Sequence, residues 1–74
     1  MATLTTPQRR ALWLAAQTGP GRHVHCGRLF RAFESLHAMG LGTYGRKTDD
    51  AGRWSAIFTL NDAGREREAQ EPTP

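Results

Sequence analysis

Between Gly40 and Arg65 the chain changes direction repeatedly, and each change is marked by residues that permit few alternatives. Gly40 follows a helix-forming run and supplies the left-handed stop that ends a helix. Leu41–Lys47 and Arg53–Leu60 are strand-length segments, separated by Thr48-Asp49-Asp50-Ala51-Gly52. Asp and Gly are the residues that close a tight turn, so the pair reads as a β-hairpin. In the second strand Trp54, Ala56, Phe58 and Leu60 alternate with Ser55, Ile57 and Thr59, which gives it one apolar face. Asn61 is a good N-cap, and Asp62 suits the positive end of a helix dipole, so a last helix is expected through about Ala69. A lone hairpin is marginal in water, so its apolar face needs a helical layer to rest on.

That layer comes from the first forty residues. Thr5 or Thr6 can cap a helix, with Pro7 at or near its first position and Gln8 completing a capping box with Thr5. Arg9–Gln17 is rich in helix formers, and Thr18-Gly19-Pro20-Gly21 ends it. Gln8, Ala11, Leu12, Leu14 and Ala15 share one broad face, while Arg9, Arg10, Trp13 and Gln17 share the other. Trp13 is then a large ring on the charged side. It either packs on a neighbour such as the C-terminal helix or, with Arg10 and Gln17, forms a candidate partner interface. Arg22–Cys26 reads as a brief strand centred on Val24. Gly27–Met39 reads as the second helix, with Leu29, Ala32, Phe33 and Leu36 inward, Phe30 and His37 at the margin, and Arg28, Arg31, Ser35 and Ala38 outward. The fold class expected is α+β, with Leu12, Leu14, Leu29, Phe33, Leu36, Trp54, Phe58 and Leu60 forming one core. Gly64 inside the last helix costs roughly 1 kcal/mol against Ala, which points to close packing there.

Size sets the scale. The chain has 74 residues, enough for one domain over residues 1–69, with 70–74 a disordered polar tail. A domain this small buries only roughly 60% of its unfolded surface. A single cysteine, Cys26, excludes an internal disulfide and suits a reducing compartment. No apolar run approaches the roughly 18 residues of a membrane span. The first residues lack the basic start and apolar stretch of a signal peptide, so a cytoplasmic location is expected.

Charge points to a partner. The net charge is +3, but residues 1–60 carry +5 and residues 61–74 carry −2. The basic excess lies on the body and hairpin, where it would draw polyanions. Arg28, Arg31 and Ser35 form a helix face on which arginines can reach base edges or phosphate and a small side chain allows close approach. Arg46, Lys47 and Arg53 flank the hairpin turn, and Arg9, Arg10 and Arg22 stand at the rim.

The order helix, short strand, helix, two-stranded hairpin wing, C-terminal helix resembles a small winged helix lacking one helix. The local words extend the resemblance to the MarR-like regulator family. Leu4-Thr5-Thr6-Pro7-Gln8-Arg9 resembles the opening of the helix that precedes that family's DNA-reading unit. Leu36-His37-Ala38-Met39-Gly40-Leu41 resembles the end of its recognition helix, and Asp49-Asp50-Ala51-Gly52-Arg53 its wing tip. Leu60-Asn61-Asp62-Ala63-Gly64-Arg65 resembles the Leu-Thr-x-x-Gly-Arg that follows, with Asn61 replacing the capping Thr. Thr18–Gly27 is too short for the family's additional helix, and the flanking dimerisation helices are absent. Truncated winged helices of this kind are expected among phage and mobile-element proteins. The resemblance implies a double-stranded DNA-binding transcriptional regulator, with the second helix in the major groove, the wing on the backbone or minor groove, and a homodimer covering a full site. The rival is a protein-interaction winged helix, for example a phage-encoded inhibitor or modulator of a host protein that does not bind DNA.

Chemistry of other kinds finds little support. His23 and His25 would share one side of a strand while Cys26 points the other way, and a closed zinc site needs four convergent ligands. Cys26 beside His25 lacks an orienting carboxylate, and no Gly-rich phosphate loop is present. The expectation is a protein that is not an enzyme and uses no cofactor, metal, membrane or small-molecule substrate.

Overall fold

Thr5 opens the first helix as its residues require. Its hydroxyl accepts from Gln8 N at 3.3 Å, and Gln8 Oε1 accepts from Thr5 N at 2.9 Å, which completes the capping box. In the computed structural model, which describes residues 3–19 and 21–71, α1 spans Thr6–Ala16 and β1 spans His23–His25. A single 3₁₀ turn over Gly27–Leu29 leads into α2, Phe30–Ala38. The hairpin is β2, Gly42–Thr48, and β3, Trp54–Leu60, and α3 closes the chain at Asp62–Gln70. The class is α+β: three α-helices and a three-stranded antiparallel sheet in the order β1-β3-β2.

Register fixes the faces. Val24 and Tyr44 both pair with Phe58, Gly42 with Leu60, Arg46 with Ala56 and Thr48 with Trp54. Directly opposed residues point the same way, so these side chains share the face toward the helices. α1 packs on α2, α3 and β3, and α2 packs on β2. Phe33 and Phe58 meet at the centre with ring centroids 5.0 Å apart. Around them Leu4, Ala11, Leu12, Ala15, Cys26, Ala32, Leu36, Leu41 and Leu60 are buried, and Val24, Leu29, Tyr44 and Ala56 are packed against the cluster.

The joints are specific. Gly40 takes φ +78° after α2, as expected of a left-handed stop. Asn61 uses both ends of its amide: Oδ1 accepts from Gly64 N at 2.8 Å, capping α3, while Nδ2 donates to Gly40 O at 2.9 Å. A capping Thr would offer one hydroxyl where Asn61 offers a separate donor and acceptor. Gly64 is buried against the Leu41 carbonyl and the Leu60 side chain, with no room for a Cβ. Arg65 Nη2 donates to Thr18 O at 3.1 Å and ties α3 to the end of α1.

Several expectations change. Leu14 is exposed at the margin of α1, because the buried stripe narrows to Ala11, Leu12 and Ala15. Trp54 is outside the core and 59% exposed, because it lies on the correct face of β3 but at the hairpin's far end. Leu29 is only half-buried. The second helix is α-helical from Phe30, its expected first turn being the 3₁₀ turn. The C-terminal helix includes Gln70, which was expected in the tail, and Arg67 Nε pairs with Glu71 Oε1 at 2.7 Å just beyond it. Residues 72–74 of the expected tail, and Pro20 of the loop after α1, lie outside the described residues.

Candidate functional site

The start of α2 is anchored to the sheet by the backbone before it. Cys26 N donates to Ala56 O at 3.0 Å, and Leu29 N donates to Cys26 O at 3.0 Å. Cys26 itself is buried, and that burial pushes its thiol up to about 11. These bonds hold Gly27 and Phe30 beside the hairpin. Across from them the hairpin turn is closed by Asp49, whose N donates to Arg53 O at 2.8 Å. Its Oδ1 accepts from Ala51 N at 3.0 Å and Arg53 N at 2.9 Å. One of the two turn carboxylates is thus engaged in the turn itself.

Between these two anchored pieces lies an apolar cleft of about 400 Å³, lined by His25, Gly27, Phe30, Tyr44, Trp54, Ser55 and Ala56. Phe30 is 43% exposed at its edge. Tyr44 titrates above its ordinary value, chiefly through burial, with the charges of Glu34 and Cys26 raising it further and Arg46 opposing them. A second hollow, lined by His25, Lys47, Asp49, Arg53, Trp54 and Ser55, shares Trp54 with the first.

Cations stand around this aromatic floor. The Arg46 guanidinium lies over the Trp54 ring at 4.4 Å, and that of Arg31 lies 5.9 Å from the Phe30 ring. Both are cation–π distances. Lys47 and Arg53 line the adjoining hollow, and Arg28 follows Gly27 in the 3₁₀ turn. All five are exposed. Among the described residues no ion pair involves any of them, the one ion pair being Arg67–Glu71. No family model, curated protein or solved structure matches the chain.

The residues singled out in the sequence divide among several places. Arg46 stands over the Trp54 ring at the cleft, Lys47 and Arg53 line the adjoining hollow, Arg31 lies beside the Phe30 ring and also lines a notch next to Thr5 and Pro7, and Arg28 lies in the 3₁₀ turn and lines none of these three. Ser35 lines neither the cleft nor the hollow: it is half-buried in that shallow notch with Thr5, Pro7, Gln8, Arg31 and Ala32, and its hydroxyl donates to Arg31 O at 3.1 Å. Arg10 on α1 and Gln17 at its C-cap are exposed, Trp13 on α1 is half-buried, and none of the three lines the cleft. His23 and His25 do share a sheet face, with ring centroids 5.6 Å apart. Among the described residues no group of three or more His, Cys, Asp or Glu side chains is placed to hold a metal ion.

Sequence reasoning missed the aromatic floor itself. Alternation along β3 points Trp54 inward, and helical periodicity puts Phe30 only at a margin. The available signal was position: Trp54 is one residue from the hairpin turn and Phe30 is at the start of its helix, and ends of elements outrun the layer that covers their middles. Glu34 was also passed over. It is exposed on α2 and close enough to Tyr44 to raise its titration.

Proposed function

We propose that the protein is a minimal winged-helix module that binds double-stranded DNA as a small transcriptional regulator, with α2 entering the major groove and the β2–β3 hairpin serving as the wing. What carries this reading is the set of Arg46, Lys47 and Arg53 on the hairpin together with Arg28 and Arg31 at the start of the second helical segment, all exposed and none ion-paired among the described residues. Exposed cations without ion-pair partners among the described residues supply the salt-dependent attraction on which duplex binding rests. The element order, the sheet order β1-β3-β2 and the MarR-like words in the sequence support the winged-helix assignment. In this reading Arg31, on the exposed side of α2, reaches base edges, while the hairpin cations grip phosphate. One module spans few base pairs, so a full site requires a second copy.

A second reading draws on a specific observation. Trp54 and Phe30 are exposed aromatics, and Glu34 places a carboxylate on the same helix, an arrangement suited to a protein partner. Titration with random duplex DNA at two salt concentrations separates the two. DNA binding requires affinity that falls as salt rises, with each substitution of Arg46, Lys47 or Arg53 by Ala flattening the log–log slope by about 0.9. Arg31→Ala should weaken a preferred site by about 1–3 kcal/mol and random duplex much less. Absence of salt-dependent duplex binding at tens of micromolar protein would reject the DNA reading in favour of the protein-binding one.

A further inference from the structure

The cleft is the wrong shape for a phosphate and the wrong polarity for a solvated charge. Its floor is Phe30, Tyr44, Trp54 and Ala56, and its volume of about 400 Å³ falls in the lower part of the roughly 300–1,000 Å³ range of small-molecule sites. It has room for a flat ring but not for a duplex. Two cations stand over it, Arg46 across the Trp54 ring and Arg31 beside the Phe30 ring, and one carboxylate, Glu34, acts on Tyr44 from α2. A flat apolar ring inside and a negative charge at the mouth is the description of a nucleotide, whose base stacks on aromatics while its phosphate meets arginine.

We propose that this cleft takes the unpaired base of a nucleotide left out of the stack beside a DNA duplex. The inference rests on the DNA reading given above and narrows it from duplex DNA to duplex DNA carrying an unpaired nucleotide. A base inside a duplex has both faces covered by its neighbours, so it reaches an aromatic floor only by leaving the stack. That cost is least for a base already unpaired. The juxtaposition gives the division of labour. Arg28, Arg31, Lys47 and Arg53 hold the flanking backbone, and Trp54, Phe30 and Tyr44 hold the ring. Trp54 is shared by the apolar cleft and the basic hollow beside it, which places the ring site directly against the phosphate site. Charge decides the class of occupant. The cations at the mouth are exposed and form no ion pair among the described residues, while Asp49, in the adjoining hollow, has one carboxylate oxygen held by two backbone N–H groups.

The test compares three short DNAs of one sequence: a fully paired duplex, the duplex with one thymidine bulge, and the duplex with an abasic residue at the bulge. The last two carry the same phosphates and differ only in the base. Affinities are read from the anisotropy of dye-labelled DNA, and a Trp13→Phe background lets emission report Trp54 alone. The thymidine bulge should bind roughly tenfold tighter than the abasic bulge, the discrimination expected for one base–aromatic stack, and should alone quench the emission. Trp54→Ala should bring the ratio of the two bulge affinities to within about twofold of one, and Trp54→Phe should retain part of it. Trp54 is exposed at the end of β3, so melting curves of both variants should match the parent and attribute the change to stacking. Equal, salt-dependent binding of all three DNAs would overturn the inference and leave the duplex reading intact. Failure to bind any of them would overturn both. Tight binding of a glutamate–tyrosine copolymer, with the three DNAs ignored, would likewise overturn both and assign the cleft to an acidic protein partner.

Discussion

Phe58 and Trp54 stand on the same face of β3, two alternations apart, and live in different surroundings. Phe58 is fully buried against Phe33, whereas Trp54 is 59% exposed under the guanidinium of Arg46. Leu60, at the other end of the strand, is buried with Gly64 and Leu41, and Ala56 is half-buried between the extremes. Burial is therefore graded along one face. At the Leu60 end, α1, α2 and α3 cover the sheet and every joint is tied. At the Trp54 end the hairpin runs past the helices, and its apolar side chains are left beside cations that form no ion pair among the described residues. Alternation decides which way a side chain points. The reach of the neighbouring layer decides whether anything waits there to cover it.

The two ends should respond differently to equal insults. Phe58→Ala should cost about 3–5 kcal/mol and unfold much of the population at ambient temperature, while Trp54→Ala should cost less than about 1 kcal/mol. Urea denaturation of both variants checks this, and comparable losses would erase the contrast. The buried thiol gives a sharper probe of the packed end. Because burial holds Cys26 at about 11 instead of near 9, the unfolded chain loses the thiol proton first as pH rises. The stability contributed by the buried thiol is then fully present below pH 9 and is lost between about 9 and about 11, by roughly 2–3 kcal/mol. Melting curves across that window, compared with Cys26→Ala, should show the fall in the parent and a flatter course in the variant. Parallel courses would place the thiol in contact with solvent. The smallest effect compares two glycines. Gly64→Ala should cost about 1–3 kcal/mol through overpacking against Leu41 and Leu60, whereas Gly45→Ala, with open space at its Cβ position, should change the melting temperature little. A tolerant Gly64 would show that α3 can lift from the sheet without loss.

The sequence made the packed end readable because its signals are local. Thr5 and Gln8, Gly40, the Asp49–Gly52 turn and Asn61 each act within a few residues, and each does in the structure what its chemistry predicts. Phe33, Leu36, Phe58 and Leu60 are buried as their periodicity requires. The open end was harder because exposure there depends on distances between elements. Nothing in the alternation of Trp54 with Ser55 says where α2 begins relative to the hairpin. The same limit applies to Ser35, whose place on a helical wheel does not reveal the notch beside Thr5 and Pro7. The charges are plain in the sequence, but the aromatic floor beside Arg46 depends on the long-range bond from Cys26 N to Ala56 O, which no local pattern encodes.

The bond from Arg65 to the carbonyl of Thr18 joins the last helix to the end of the first. Together with the packing of α1 on α3, it sets an order of events during synthesis. A chain emerging from a ribosome can form α1 early, but its partner surfaces on β3 and α3 arrive only after most of the domain has been translated. The face of α1 that carries Leu12 and Ala15 can therefore meet α2 first and is closed over only when β3 and α3 follow, so its burial is completed last.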